Sequence, residues 1–93
     1  MKVHNVKSWV EYFAMVVAGV KTFELRKNDR DYKVGDIVEL EEFRPHVGTY
    51  TGRKQKIEIT YLIDGSDNVG MDGLRRGFCI FSFRKIGEVE QTG

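Results

Sequence analysis

Lys21, Glu24 and Arg26 are the residues whose types and spacing suit chemistry or recognition, with Thr22 beside them. They lie in the stretch Gly19-Val-Lys-Thr-Phe-Glu-Leu-Arg-Lys-Asn-Asp-Arg-Asp31. If this stretch is extended, Thr22, Glu24 and Arg26 share one face, because strand side chains repeat every two residues. Lys21 sits where it can reach the same space. Two cations, a carboxylate and a hydroxyl can hold a phosphate or a base edge, with the guanidinium making bidentate contacts. The carboxylate can accept from an exocyclic amine, as acids do with cytosine, or orient Arg26. The plainer alternative is an ion pair of Glu24 with Arg26 or Lys21 decorating a strand, which contributes ~0–1 kcal/mol when exposed.

The elements that must position this set follow from the pattern on either side. Residues 2–6 read as a short first strand. Residues 8–19 read as a helix, with Ser8 and Glu11 at capping-box spacing. Trp9, Phe13, Val16, Val17 and Val20 recur at steps of three and four and are expected to form its core stripe. Gly19 suits the left-handed residue after a helix. Residues 22–27 form a second strand with Phe23 and Leu25 expected toward the core. Residues 28–36 are turn formers and charges, ending in Val34-Gly35-Asp36, and 37–43 are a third strand. Residues 44–52 hold the single proline and read as a hairpin loop. Residues 55–63 alternate cleanly, with Gln55, Ile57, Ile59, Tyr61 and Ile63 on one face. Residues 64–76 are a long Gly/Asp-rich loop. It is no calcium loop, since Val69 and Arg75 stand where the turn glycine and the bidentate acid belong. Residues 77–84 are apolar on both faces and read as a central or barrel-closing strand. Residues 87–93 are expected to be a disordered tail.

These elements predict a single domain over 1–86. It is mainly β, a small barrel of about five to six mostly antiparallel strands with one helix packed across an opening.

Bulk composition narrows the function. Ninety-three residues with 15 Lys and Arg against 14 Asp and Glu give a net charge of +1. That excludes coating nucleic acid by bulk charge, so any such contact must be local. The lone Cys79, in an apolar run, is expected to be a buried thiol and rules out an internal disulfide framework. His46 has no second ligand at metal spacing, so no metal is expected. No cofactor is expected either. No stretch approaches the ~20 apolar residues that span a bilayer. The N-terminus lacks the apolar core of a signal peptide, so the cytoplasm is the default location and a monomer the default state.

The spacing Gly19-x-Lys21-x-x-Glu24-x-Arg26, after a helix carrying Trp9, resembles the signature G-x-K-x-x-E-x-R of ASCH domains, members of the PUA-like β-barrel superfold. Lys27–Asp31, the Val34-Gly35-Asp36 turn, Tyr50–Arg53, Thr60-Tyr61 and Leu74-x-x-Gly77-Phe78 are similar to a subfamily of small stand-alone ASCH-like bacterial and phage proteins of unassigned function. The resemblance covers about residues 2–84. It implies a PUA-like barrel with a cleft beside the helix, lined by Lys21, Glu24 and Arg26, that binds RNA or a modified nucleotide; Thr22, Lys27 and Arg30 are further candidates for contact with that ligand. Loop 64–76 is expected to rim this cleft and bring Arg75 and Arg76 to a phosphate. Tyr12, Tyr32 and Tyr50 are candidates for base stacking.

Two alternatives stand beside this reading. Some small relatives of that family are amidohydrolases that deacetylate acetylcytidine, using a Lys, a Thr three residues later and a distant Glu. Here Glu24 occupies the threonine's place and the hydroxyl is displaced to Thr22, which leaves Lys21, Glu24 and Thr22 as the catalytic candidates. The third reading is a bacterial or phage protein-interaction module with no nucleic-acid ligand.

Overall fold

The computed structural model describes residues 1–66 and 73–92. Residue 69 and the middle of the 64–76 loop lie outside the described residues.

Strand β1 (Val3–Trp9) runs directly into helix α1 (Val10–Val17). Then follow β2 (Phe23–Lys27), β3 (Ile37–Arg44), β4 (Thr49–Asp64) and β5 (Phe78–Gln91). The five strands make one sheet in the order β1-β3-β4-β5-β2. β1 pairs β3 in parallel, and every other pair is antiparallel. The sheet curls into a half-barrel, and Phe13 and Val16 of α1 plug it against Val38, Leu40, Ile57 and Phe81. The coarse expectation of a small, mostly antiparallel β-structure carrying one helix is met.

Several local readings are corrected. β1 extends through Ser8 and Trp9, and the helix has no side-chain cap. His4, Val6 and Ser8 all turn inward on β1. Strand periodicity therefore claims the serine that capping-box spacing assigned to the helix. The helix end is as expected. Gly19 takes φ 78°, its N–H bonds the Val16 carbonyl, and the Val20 N–H bonds the Met15 carbonyl. This paired closure leaves few unsatisfied carbonyls at the terminus.

β4 is longer than the predicted 55–63 and carries a bulge between Ile59 and Tyr61. The extra residue, Thr60, switches the faces. Gln55, Ile57 and Ile59 are buried, whereas Tyr61 is exposed and Leu62 packs on the core. The tail is also corrected: residues 87–91 continue β5, and Glu90 and Gln91 pair with Lys54 and Arg53 of β4.

Near the N-terminus, the Asp36 carboxylate ties β1 to the turn before β3. It bonds His4 Nε2 at 2.8 Å and accepts from the backbone amides of Lys2 and Lys33. Burial raises the Asp36 pKa, but the His4 bond and the two amides outweigh it and hold the carboxyl below its ordinary value. Cys79 is fully buried, and that burial, with Asp64 adding to it, pushes its thiol up to about 11.

β1 and β2 are the two ends of the sheet order, so each has one free edge. The Ile37 N–H bonds the Lys2 carbonyl, which turns the backbone groups of His4, Val6 and Ser8 toward β3. Those of Asn5, Lys7 and Trp9 then face away from it, toward the open edge. On β2, the Phe83 N–H bonds the Thr22 carbonyl and the Asn28 N–H bonds the Gly77 carbonyl. Phe23, Leu25 and Lys27 therefore present their backbone groups to the other edge. Arg26 spans the seam, donating from Nη2 to the Lys7 carbonyl at 2.8 Å.

Candidate functional site

Pairing with β5 decides which way β2 faces. Glu24 lies opposite Phe81 and Arg26 opposite Cys79, and both partners are core residues. Cross-strand partners share a face, so Glu24 and Arg26 turn inward. Glu24 is only 5% exposed. Phe23 and Leu25 are turned outward, at 49% and 59% exposed, which reverses the sequence expectation for this strand.

A carboxylate buried this deeply must be paired, because an isolated buried charge is too costly to keep. Glu24 Oε1 accepts from Lys21 Nζ at 2.7 Å, and Oε2 accepts from Arg26 Nε at 3.1 Å. Glu24 therefore acts as an orienting group that pins two cations. Three unit charges sum to an excess of one positive. Among the described residues, Lys21 retains two ammonium N–H groups, and Arg26, with its further bond to Lys7, retains three of its five.

Around this triad lies a cleft of about 420 Å³, formed by Lys7, Ser8 and Trp9 of β1, Tyr12 of α1, Lys21, and Phe23 to Arg26 of β2. That volume falls in the range of small-ligand sites, ~300–1,000 Å³. Three half-exposed aromatic rings stand over it. Trp9 and Tyr12 are stacked, with centroids 6.1 Å apart and planes 21° from parallel. Lys21 Nζ sits 5.5 Å from the Tyr12 centroid and 5.7 Å from that of Phe23, within cation–π range.

A second, more polar cleft of about 540 Å³ adjoins the first. Both are lined by Lys7, Leu25 and Arg26, so the two run together along the β1/β2 seam. The second adds Lys27, Asp29, Arg30 and Tyr50.

The sequence candidates divide accordingly. Lys21, Glu24 and Arg26 come together as expected, with Tyr12 beside them. Lys27, Arg30 and Tyr50 line the neighbouring cleft, together with Tyr32, which is a core residue packed on His4 and Phe81. Thr22 is exposed and lines neither cleft. It precedes β2 and contributes its carbonyl to β5. Arg75 and Arg76 are exposed and line neither cleft, and the Arg75 guanidinium lies 6.0 Å from the Phe78 centroid.

Sequence reasoning missed Ser8, Trp9 and Phe23. Helical spacing claims Ser8 and Trp9, although the alternation of His4, Val6 and Ser8 continues the strand. The two-residue alternation of Phe23 and Leu25 reads as a core face, but alternation by itself does not say which face turns inward.

Among the described residues no helix is long and apolar enough to cross a membrane. Nor do any three His, Cys, Asp or Glu side chains among them gather as metal ligands would.

Comparison with known proteins adds a family and a phage relative. The chain is 44% identical over 66 residues to an "uncharacterized 12.9 kDa protein in GpA 3'region" of Escherichia phage P2. The match covers 71% of this chain and 59% of the phage protein, so it spans less than two thirds of that relative. A family model described as a domain of unknown function, DUF3850, matches residues 3–83, a span that holds every strand-borne residue of both clefts and most of the sheet. On that match the chain belongs to the DUF3850 family.

Proposed function

We propose that this protein is a nucleic-acid-binding module that takes one base of a single-stranded RNA into the aromatic cleft. The observation that carries this reading is a buried Glu24 presenting two cations at the base of a cleft ringed by Trp9, Tyr12 and Phe23. Aromatic faces stack bases, and spare N–H groups on Lys21 and Arg26 meet carbonyl or phosphate oxygens. The continuation into the second cleft favours a strand over a free nucleoside. Lys7, Lys27 and Arg30 lie where a backbone leaving the first cleft would pass, and Tyr50 offers a next stacking surface. The resemblance to ASCH domains and their PUA-like barrel points the same way.

The net charge of +1 implies few phosphate contacts. About three contacts would give a salt slope near −2 on a log–log plot, since single strands contribute ~0.7 per phosphate.

Trp9 is the sole tryptophan, and it lines the cleft. Titration with short single-stranded RNA is therefore expected to quench its fluorescence, more strongly than a matched DNA, with a shallow salt dependence. No change with either strand sinks the reading. Lys21→Ala and Arg26→Ala are each expected to weaken binding by roughly tenfold, the size of one charge-assisted hydrogen bond.

A further inference from the structure

Ser8 lies on the inward face of β1 and lines the aromatic cleft. It is 3% exposed, and its hydroxyl has no hydrogen-bond partner among the described residues. Buried hydroxyls are nearly always paired, so an orphan one in a cleft wall calls for an explanation. The other polar groups there have a clear imbalance. Lys21 and Arg26 offer spare donors, whereas both Glu24 oxygens already accept a bond from those same cations. The Ser8 hydroxyl is thus the buried side-chain acceptor lining this cleft that no group among the described residues uses, and a turn about a single bond re-aims it.

The base edges differ in what they ask of such a surface. The uracil edge carries two carbonyl oxygens flanking one N–H. Cytosine and adenine each carry an exocyclic amine, and guanine carries one carbonyl with two donors. Two cations and one hydroxyl oxygen satisfy two acceptors and one donor. An amine placed against the Lys21 ammonium or the Arg26 guanidinium would instead set donor against donor, and a site built for hydrogen bonds rejects such a mismatch strongly.

Resting on the RNA-binding reading above, we propose that the cleft selects a uracil-type base, and that Ser8 determines this specificity by accepting its N3–H. Lys21 and Arg26 take the two ring carbonyls, while Trp9, Tyr12 and Phe23 hold the ring faces.

The test uses the full chain and three probes, tetrauridylate, tetracytidylate and tetraadenylate, read by Trp9 fluorescence. Tetrauridylate is expected to bind at least ~10-fold more tightly than the other two. Ser8→Ala is expected to lower tetrauridylate affinity roughly 3- to 10-fold and to leave tetracytidylate affinity unchanged. The same variant relieves an unpaired buried hydroxyl, so the unliganded protein is expected to melt higher, by roughly 4–8 °C. A purely structural serine would not move stability and affinity in opposite directions. Ser8→Thr keeps the hydroxyl and is expected to retain the preference. A uridine strand methylated at N3 should bind wild type no better than Ser8→Ala binds the unmethylated strand. Equal binding of the three probes, or tetrauridylate binding unchanged by Ser8→Ala, overturns this proposal while leaving RNA binding standing. Failure of all three probes overturns both.

Discussion

At the scale of single residues, the chemistry of the site is a carboxylate that cannot leave and two cations that cannot drift. Glu24 is held below the surface by Lys21 and Arg26, which are themselves partly shielded. Removing one member of such a cluster leaves the others uncompensated. Glu24→Ala is expected to destabilise the protein by about 3 kcal/mol, read by urea denaturation, because two like charges then face each other near the cleft. A much smaller loss would mean that the triad is a surface ornament. Cys79 poses the opposite case, a reactive group made inert. With its thiol pushed up to about 11, burial first among the causes, it is expected to resist alkylation in the native protein at pH 8 and to react once the chain is unfolded.

At the scale of elements, the important decision is which face of β2 turns inward. A strand has only two choices, and a one-residue slip exchanges them wholesale. Hydrophobicity favours Phe23 and Leu25 inside, but pairing with Phe81 and Cys79 places Glu24 and Arg26 there. The same alternation fixes which backbone groups face the seam. Amides of His4, Val6 and Ser8 are expected to be protected from hydrogen exchange, and those of Asn5, Lys7 and Trp9 to exchange faster, since the latter point to a free edge. Uniform protection along β1 would show that the seam is closed by backbone pairing. At the other end of the helix, Gly19 holds φ 78° with open space where a side chain would begin. Gly19→Ala is expected to cost about 1 kcal/mol, from backbone conformation and not from collision.

At the scale of the whole molecule, stability depends on how the N-terminus is tied to the rest of the sheet. Asp36 gathers the His4 ring and two backbone amides into one buried junction. Its folded pKa lies below the ordinary value, which is about 3.9 in an unfolded chain. The junction therefore stabilises the fold above that value, and this contribution is lost as pH falls through the lowered folded pKa. Denaturation midpoints are expected to drop on acidification below about pH 4. Asp36→Asn should start less stable and show a flatter acid limb. An identical acid limb in the variant would place the sensitivity elsewhere.

The sequence by itself determined the members of the triad, the helix stop at Gly19, the turn at Gly35 and the approximate strand count. Each rests on local physics: charge spacing, positive-φ backbone and two-residue alternation are written in neighbouring residues. Tertiary structure alone decided that Ser8 and Trp9 belong to a strand, that Phe23 faces the cleft, and that Thr60 is the bulge that turns Tyr61 outward. It also decided that the last residues pair as a strand instead of fraying. These outcomes depend on partners far along the chain, Phe81 for Glu24 and Lys54 for Glu90, whose pairing overrides the preference of any short segment. The cleft itself is of this second kind, because it exists only where β1 and β2, the two ends of one sheet, come close enough for Arg26 to bridge them.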